Sequence, residues 1–464
     1  MDDIILLIKK FCKMKKYVTF LELLLLLNGI NAQIVNSQNA DIGFDLNTSY
    51  NMAYNRPIIR AVSDSIIVSY HEVSHHGVFS LLVNNSSVAK TIELPQYYFA
   101  KDFEILNGTI YFCGERFDGN FKSSAVLGKL LVNDFLTSSS ININFITFRE
   151  KKAHFELKKM EVYRHQNLGD VIISIGSSND YETVIHNNDT TIQINNSKDF
   201  LIVADSSLTI YLDYYEFNDE IYHDVIETDN HIILAGILRS NTYQYSTLFR
   251  KIEKSNYNSN SKDTRFICSY TTHQEPLTFV LGEGLIGSNR FVTSTFANIN
   301  GVNGTILRTY NVSNMVNTHN QFIPAKTDEK TEPLELKYMN PITLLLLQYS
   351  TISGTQIFRL SPTPSNSYNV EFEYLLNRNF YSLDKYSQDS YIAIGYSVSN
   401  IAYAARYLQS NNISCFYKNT ILATKTTNPN PSVRLQDIIF TSIIADKTNY
   451  TLIPTNVNIN ITCP

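Results

Sequence analysis

The chain holds 464 residues, 44% hydrophobic and 17% charged, with a formal net charge of −5. No basic cluster occurs beyond the N-terminus, which argues against a nucleic-acid or anionic-membrane partner. With 30 Tyr, 26 Phe and no Trp, with abundant Asn, Ser and Thr, and with no long stretch of helical apolar spacing, the composition predicts an all-β secreted protein.

Residues 1–32 read as a signal peptide, with Met14 as an alternative start. Lys9, Lys10, Lys13, Lys15 and Lys16 precede the apolar run 18–27, and Ala32 supplies the small residue for cleavage. The run is short and contains Glu22, so no membrane span is expected. The mature protein is expected outside the cytoplasm, in the periplasm, at the cell surface or in the medium.

An internal repeat organises residues 33–412. "DFEILNGTIYFCG" (102–114) aligns without gaps to "DVIETDNHIILAG" (224–236): an acidic start, a turn pair, three apolar residues, a small residue and Gly. The ending recurs as "GDVIISIG" (169–176) and "QDSYIAIG" (388–395), and more loosely at 63–70, 287–294 and 339–346. Seven copies built from short strands and turns predict a β-propeller of about seven four-stranded blades, with six or eight as rivals. Each copy reads as the first strand of a blade, and a polar hairpin leads to a second. One four-stranded blade cannot cover both its apolar faces; radial packing does. The glycine is expected where chains crowd or bend.

The string "HEVSH" (71–75) fits the pattern of zinc metallopeptidases. In those enzymes a helix brings both imidazoles to one face. Here the string falls between "SDSIIVSY" and "VFSLLVNN", two strands, so a polar exposed turn is expected. A surface metal site at His71, His75 and His76 is the functional alternative.

Further along, Asp213 and Glu216 belong to an acidic stretch, "YLDYYEFNDEIYHD" (211–224), and are the candidate catalytic carboxylates. A solvated loop between blades explains the same residues. Arg250, Arg308, Arg359 and Arg406 recur in four successive second strands. They could form a guanidinium cluster for an acidic ligand, or stand at strand ends with their heads in water.

The last segment, 413–464, differs from the repeats. It is expected to complete or clamp the ring, stapled by a Cys415–Cys463 disulfide. Cys113 and Cys268 sit in apolar strand-like runs and read as small buried thiols.

Leader, blade strands such as "NGTIYFCGERFDGNFKSSAVLGKL" and terminal Cys together resemble a group of secreted Bacteroidota proteins, β-propeller-like and of no assigned activity. The resemblance implies an exported bacterial protein. It also implies O-glycosylation sites at Asp64-Ser65-Ile66 and Asp189-Thr190-Thr191. The functional expectation is a monomeric binding module for a glycan or a cell-surface protein, with no cofactor. The alternatives are a polysaccharide-acting hydrolase or lyase that takes carboxylates from different blades, and a structural surface protein.

Overall fold

The short apolar runs become the middles of antiparallel strands. The computed structural model describes residues 42–49, 56–83, 86–119, 122–149, 153–186, 189–208, 210–217, 220–239, 245–254, 263–268, 280–283, 290–326, 329–340, 343–362, 368–375, 378–387, 389–397, 400–407, 416–421, 424–425, 432–435 and 444–463. Among them the fold is all-β, with one short helix, α1 (Val132–Thr137). None of the described helices is long and apolar enough to cross a membrane. The expected leader, 1–32, lies outside the described residues.

β1 (Ile42–Ser49) stands apart from the meander that follows it: β2 (Ile58–Ser63), β3 (Ile66–Val73), β4 (His76–Val83) and β5 (Val88–Glu93). The second meander is β6 (Tyr98–Leu106), β7 (Thr109–Gly119), β8 (Lys122–Leu131) and β9 (Ile141–Arg149). The third is β10 (Ala153–His165), β11 (Gly169–His186), β12 (Asp189–Asp205) and β13 (Ile210–Phe217). The fourth is β14 (Glu220–Glu227), β15 (His231–Arg239), β16 (Tyr245–Glu253) and β17 (Asp263–Cys268). The fifth is β18 (Val280–Glu283), β19 (Arg290–Ile299), β20 (Val302–Asn311) and β21 (Asn317–Pro324). The sixth is β22 (Thr331–Asn340), β23 (Thr343–Ser350), β24 (Gly354–Pro362) and β25 (Tyr368–Leu375). A last set, β26 (Asn379–Ser387), β27 (Ser390–Ser397) and β28 (Asn400–Tyr407), takes β1 as its fourth strand.

The C-terminal segment supplies five strands, each added to an outer edge. β29 (Phe416–Ile421) pairs with β25, β30 (Thr424–Lys425) with β21 and β31 (Ser432–Leu435) with β17. β32 (Ile444–Leu452) pairs with β9, and β33 (Thr455–Cys463) lies between β5 and β1. The chain therefore returns past the sheets in reverse order. β33 fuses the first and last sets into one nine-stranded sheet.

The second strands are buried without alternation because both their faces are covered. In β3, Ile67 packs towards β27 and β28 while Val68 packs towards β6 and β7. In β27, Ile392 and Ala393 divide in the same way. Each meander shares one apolar core with the next, and a further core joins the last set to the first. The first strands, β2, β6, β10, β14, β18, β22 and β26, touch in that order, and β26 touches β2.

The recurring glycine has a specific cause. Gly114, Gly176, Gly236 and Gly395 lie opposite Ala100, Leu157, Tyr222 and Phe380, each the residue before a register shift in a first strand. A Cβ on these glycines would overlap the carbonyl oxygens of Phe99, Glu156, Ile221 and Asn379. The bulge presses backbone into the space a side chain would fill. The repeat thus marks the second strand of each meander, not the first: its acidic start ends one strand and its glycine lies in the next.

The arginines shift by one strand too. Arg250, Arg308, Arg359 and Arg406 lie on the third strands β16, β20, β24 and β28. They do not share one place: Arg250 pairs two residues before Gly236, while Arg406 pairs four before Gly395. Among the described residues Cys113 is a free buried thiol, as expected of a small core residue. Burial pushes that thiol well above the usual range and leaves it unreactive. Cys415 lies outside the described residues, and so does its expected pairing with Cys463.

Candidate ligand-binding cavity

The bulges decide what the first strands present. Lys101, Lys158, His223 and Leu334 are the extra residues of the bulges in β6, β10, β14 and β22. Asp102, Lys159, Asp224 and Glu335 follow them. Those four followers line one cavity of about 270 Å³. Two positions further on, Glu104, Glu161 and Lys337 line it as well, with Asp384 from β26 and Arg60 from β2. Walls from β2, β6, β10, β14, β22 and β26 meet there; the side chains of β18 are outside the description.

Arg60 is the hub. It is 4% exposed and contacts Asp102 at 3.1 Å and Glu104 at 2.9 Å on β6, and Glu335 at 3.2 Å on β22. Asp102 also accepts the backbone N–H of Met160 on β10 at 3.2 Å, and Lys159 lies 3.6 Å away. Glu335 accepts the N–H of Leu383 on β26 at 2.6 Å, and Asp384 accepts that of Ala61 on β2 at 2.8 Å. The carboxylates that follow the bulges therefore latch one first strand to the next.

Carboxylates outnumber cations in the lining, seven to four. Burial, and then repulsion from Glu104, pushes the Glu161 carboxyl well above its usual range; Asp224 and Glu227 add to the effect and Lys337 opposes it. Glu104 is raised as well, by burial against the pull of Arg60. Burial alone would lower Lys159, but Asp102 and Asp224 outweigh it and hold the ammonium above its normal range. The cavity thus contains fixed ions beside carboxyls whose pKa values are raised.

The candidates from sequence fall elsewhere. His71 and Glu72 end β3 with 1% and 0% exposure, Ser74 and His75 form an exposed turn, and His76 opens β4. The expected exposed turn is therefore right for Ser74 and His75 and wrong for His71 and Glu72. His71 is covered within β3, while the turn at Ser74 and His75 carries His75 into solvent, so the three imidazoles do not converge. Neither ring nitrogen of His71 has a hydrogen-bond partner, and burial lowers its pKa to about 3.

Asp213 and Glu216 lie on β13, the outermost strand of its sheet, with β10 as the cavity wall at the other edge. Of the acidic stretch 211–224, Asp224 reaches the cavity. Arg250, Arg308 and Arg406 are buried at 2%, 2% and 3% exposure, and Arg359 is half-buried. Their heads are not in open water, nor do they line the cavity. Arg250 instead bonds Glu220 at 2.8 Å and the Tyr222 hydroxyl at 2.9 Å, which brings its charge a partner inside the sheet stack.

Sequence reasoning missed Arg60, Glu104, Lys159, Glu161, Glu335 and Lys337. The available signal was the acidic first letter of the two gapless repeats, Asp102 and Asp224. Comparison with known protein families and with curated proteins gives no match.

Proposed function

We propose that the chain is a seven-bladed β-propeller acting as an exported binding module, with a glycan received in the ionic cavity. The reading of the fold rests on the order in which the first strands touch and on a core that joins the last strands to the first. Export rests on the leader-like residues 1–32 alone. The cavity carries the functional reading: six strands deliver charged donors and acceptors to one space of about 270 Å³. A hydroxyl-rich ligand needs such fixed polar groups converging on a concave site. The test is calorimetric titration of a glycan panel against the protein and its Glu161→Gln and Lys337→Met variants. Loss of the Lys337 ammonium, or of the Glu161 hydroxyl as a donor of that geometry, should weaken binding about tenfold or more. Unchanged affinity in both variants would overturn the reading.

A second reading has its own observation. Burial, and then Glu104 on a different sheet, pushes the Glu161 carboxyl well above its usual range. A protonated carboxyl beside an ionisable one is the equipment of a polysaccharide hydrolase. Release of reducing ends from a polysaccharide, abolished by Glu161→Gln, would favour this enzyme over the binding module.

A further inference from the structure

A second set of donor atoms lies between the second and third meanders, outside the cavity lining. Glu115 on β7, with His154 and Glu156 on β10, brings one ligand atom each within 4.8 Å of one another. Glu115 is 5% exposed, and its Oε2 accepts no hydrogen bond while lying 3.6 Å from His154 Nε2. Ser123 Oγ lies against the ring, close to Nδ1 and 3.3 Å from Nε2. It donates its hydrogen to the Phe155 carbonyl at 2.9 Å, so towards the imidazole it accepts. His154 Nε2 and Glu115 Oε2 are thus two donor atoms side by side that one cation between them would engage.

We propose that Glu115, His154 and Glu156 form a binding site for a first-row divalent cation of the Zn²⁺ class. One imidazole and two carboxylates suit such an ion, whereas Ca²⁺ takes oxygen donors alone. The outer supports that a metal site needs are present: Ser123 fixes the imidazole, and Ser177 Oγ donates to Glu156 Oε1 at 3.0 Å. Lys101 now supplies the positive charge, with Nζ 2.9 Å from Glu115 Oε1 and 3.7 Å from Glu156 Oε2. An arriving metal takes over the role of that ammonium, which swings out. Access is from the side where His154, Glu156 and Lys101 keep 14%, 20% and 21% of their side-chain surface. Three protein donors leave a fourth position for water or a ligand. Because the donors come from two meanders, the ion also joins them.

The experiment titrates ZnCl2 into the metal-free full chain by calorimetry, with MnCl2 and CaCl2 alongside, and follows the melting temperature. One-to-one Zn²⁺ binding with a raised melting temperature is expected. His154→Ala and Glu156→Gln should each weaken it by about 10–100-fold. Lys101→Met should tighten it, since the competing ammonium is gone, and this separates a metal site from a merely structural ion pair. Glu156 and Lys101 are partly exposed, so their variants carry the test if His154→Ala fails to fold. Glu161→Gln in the cavity should leave Zn²⁺ affinity unchanged. No binding at millimolar Zn²⁺ in either the natural chain or Lys101→Met, or binding indifferent to His154 and Glu156, would overturn the proposal.

Discussion

Glu335 accepts the backbone N–H of Leu383 at 2.6 Å and holds Arg60 at 3.2 Å, so one carboxylate ties β22, β26 and β2 together. All three partners are buried. Arg60→Met should therefore strand Asp102 and Glu335 as buried charges and cost about 3–5 kcal/mol. Urea unfolding measures this directly. A loss under about 1 kcal/mol would mean that the carboxylates simply take up protons, at little cost.

Gly395→Ala should destabilise by about 1–3 kcal/mol, because its Cβ would meet the backbone carbonyl of Asn379, which cannot rotate away as a side chain can. Gly114→Ala should behave alike. Thermal melts of both variants, compared with an alanine substitution at exposed Ser65, check the point. Equal melting temperatures would show that the bulged strands yield.

These two sites also show what was legible. Strand runs, turn pairs and the recurring glycine are local signals, so the all-β fold, the repeat and the position of HEVSH in a hairpin could be read directly. The bulge opposite each glycine was not legible, because it depends on pairing between strands. That bulge moved the marker to the second strand and turned Asp102, Lys159 and Asp224 towards the cavity, and a like bulge without a facing glycine did the same for Glu335. The arginines misled for the same reason: similar spacing along the chain gave different registers across the sheets. Arg60 carries no repeat signature, and only long-range packing makes it a hub.

Acid should destabilise the protein through His71. Its folded pKa of about 3 lies below the unfolded value near 6.5, so the unfolded chain binds the proton first. The stability His71 contributes is complete above pH 6.5. It falls by about 1.4 kcal/mol per pH unit down to about pH 3. His223, lowered to about 4 by burial and then Lys158, acts in the same direction. His71→Leu should flatten this limb and, by removing two ring nitrogens without hydrogen-bond partners, raise stability at pH 7. Urea midpoints from pH 4 to pH 7 read both effects, and a parallel pH dependence in the variant would refute the assignment.

Glu161 works in the opposite sense. Its folded pKa is raised, so the folded chain holds a proton that the unfolded chain releases, and stability falls as pH rises through the carboxylate range towards neutrality. Glu161→Gln should thus be more stable than the natural chain at pH 7 and no more stable at pH 4. A variant less stable at pH 7 would show that the ionised carboxylate is held by a favourable partner.

The return path of β29 to β33 has a consequence in time. The residues that cover the outer edges of β25, β21, β17, β9 and β5 leave the ribosome after all the strands they cover, and β1 waits for β28 across more than three hundred residues. Until β29 to β33 emerge, the meanders they cover expose open hydrogen-bonding edges, the kind of surface on which strands from other chains add. Folding of so non-local a topology is slow. The protein is therefore most vulnerable to self-association before residues 416–463 appear, and a nascent chain stalled short of them should depend on chaperones far more than one that has passed them.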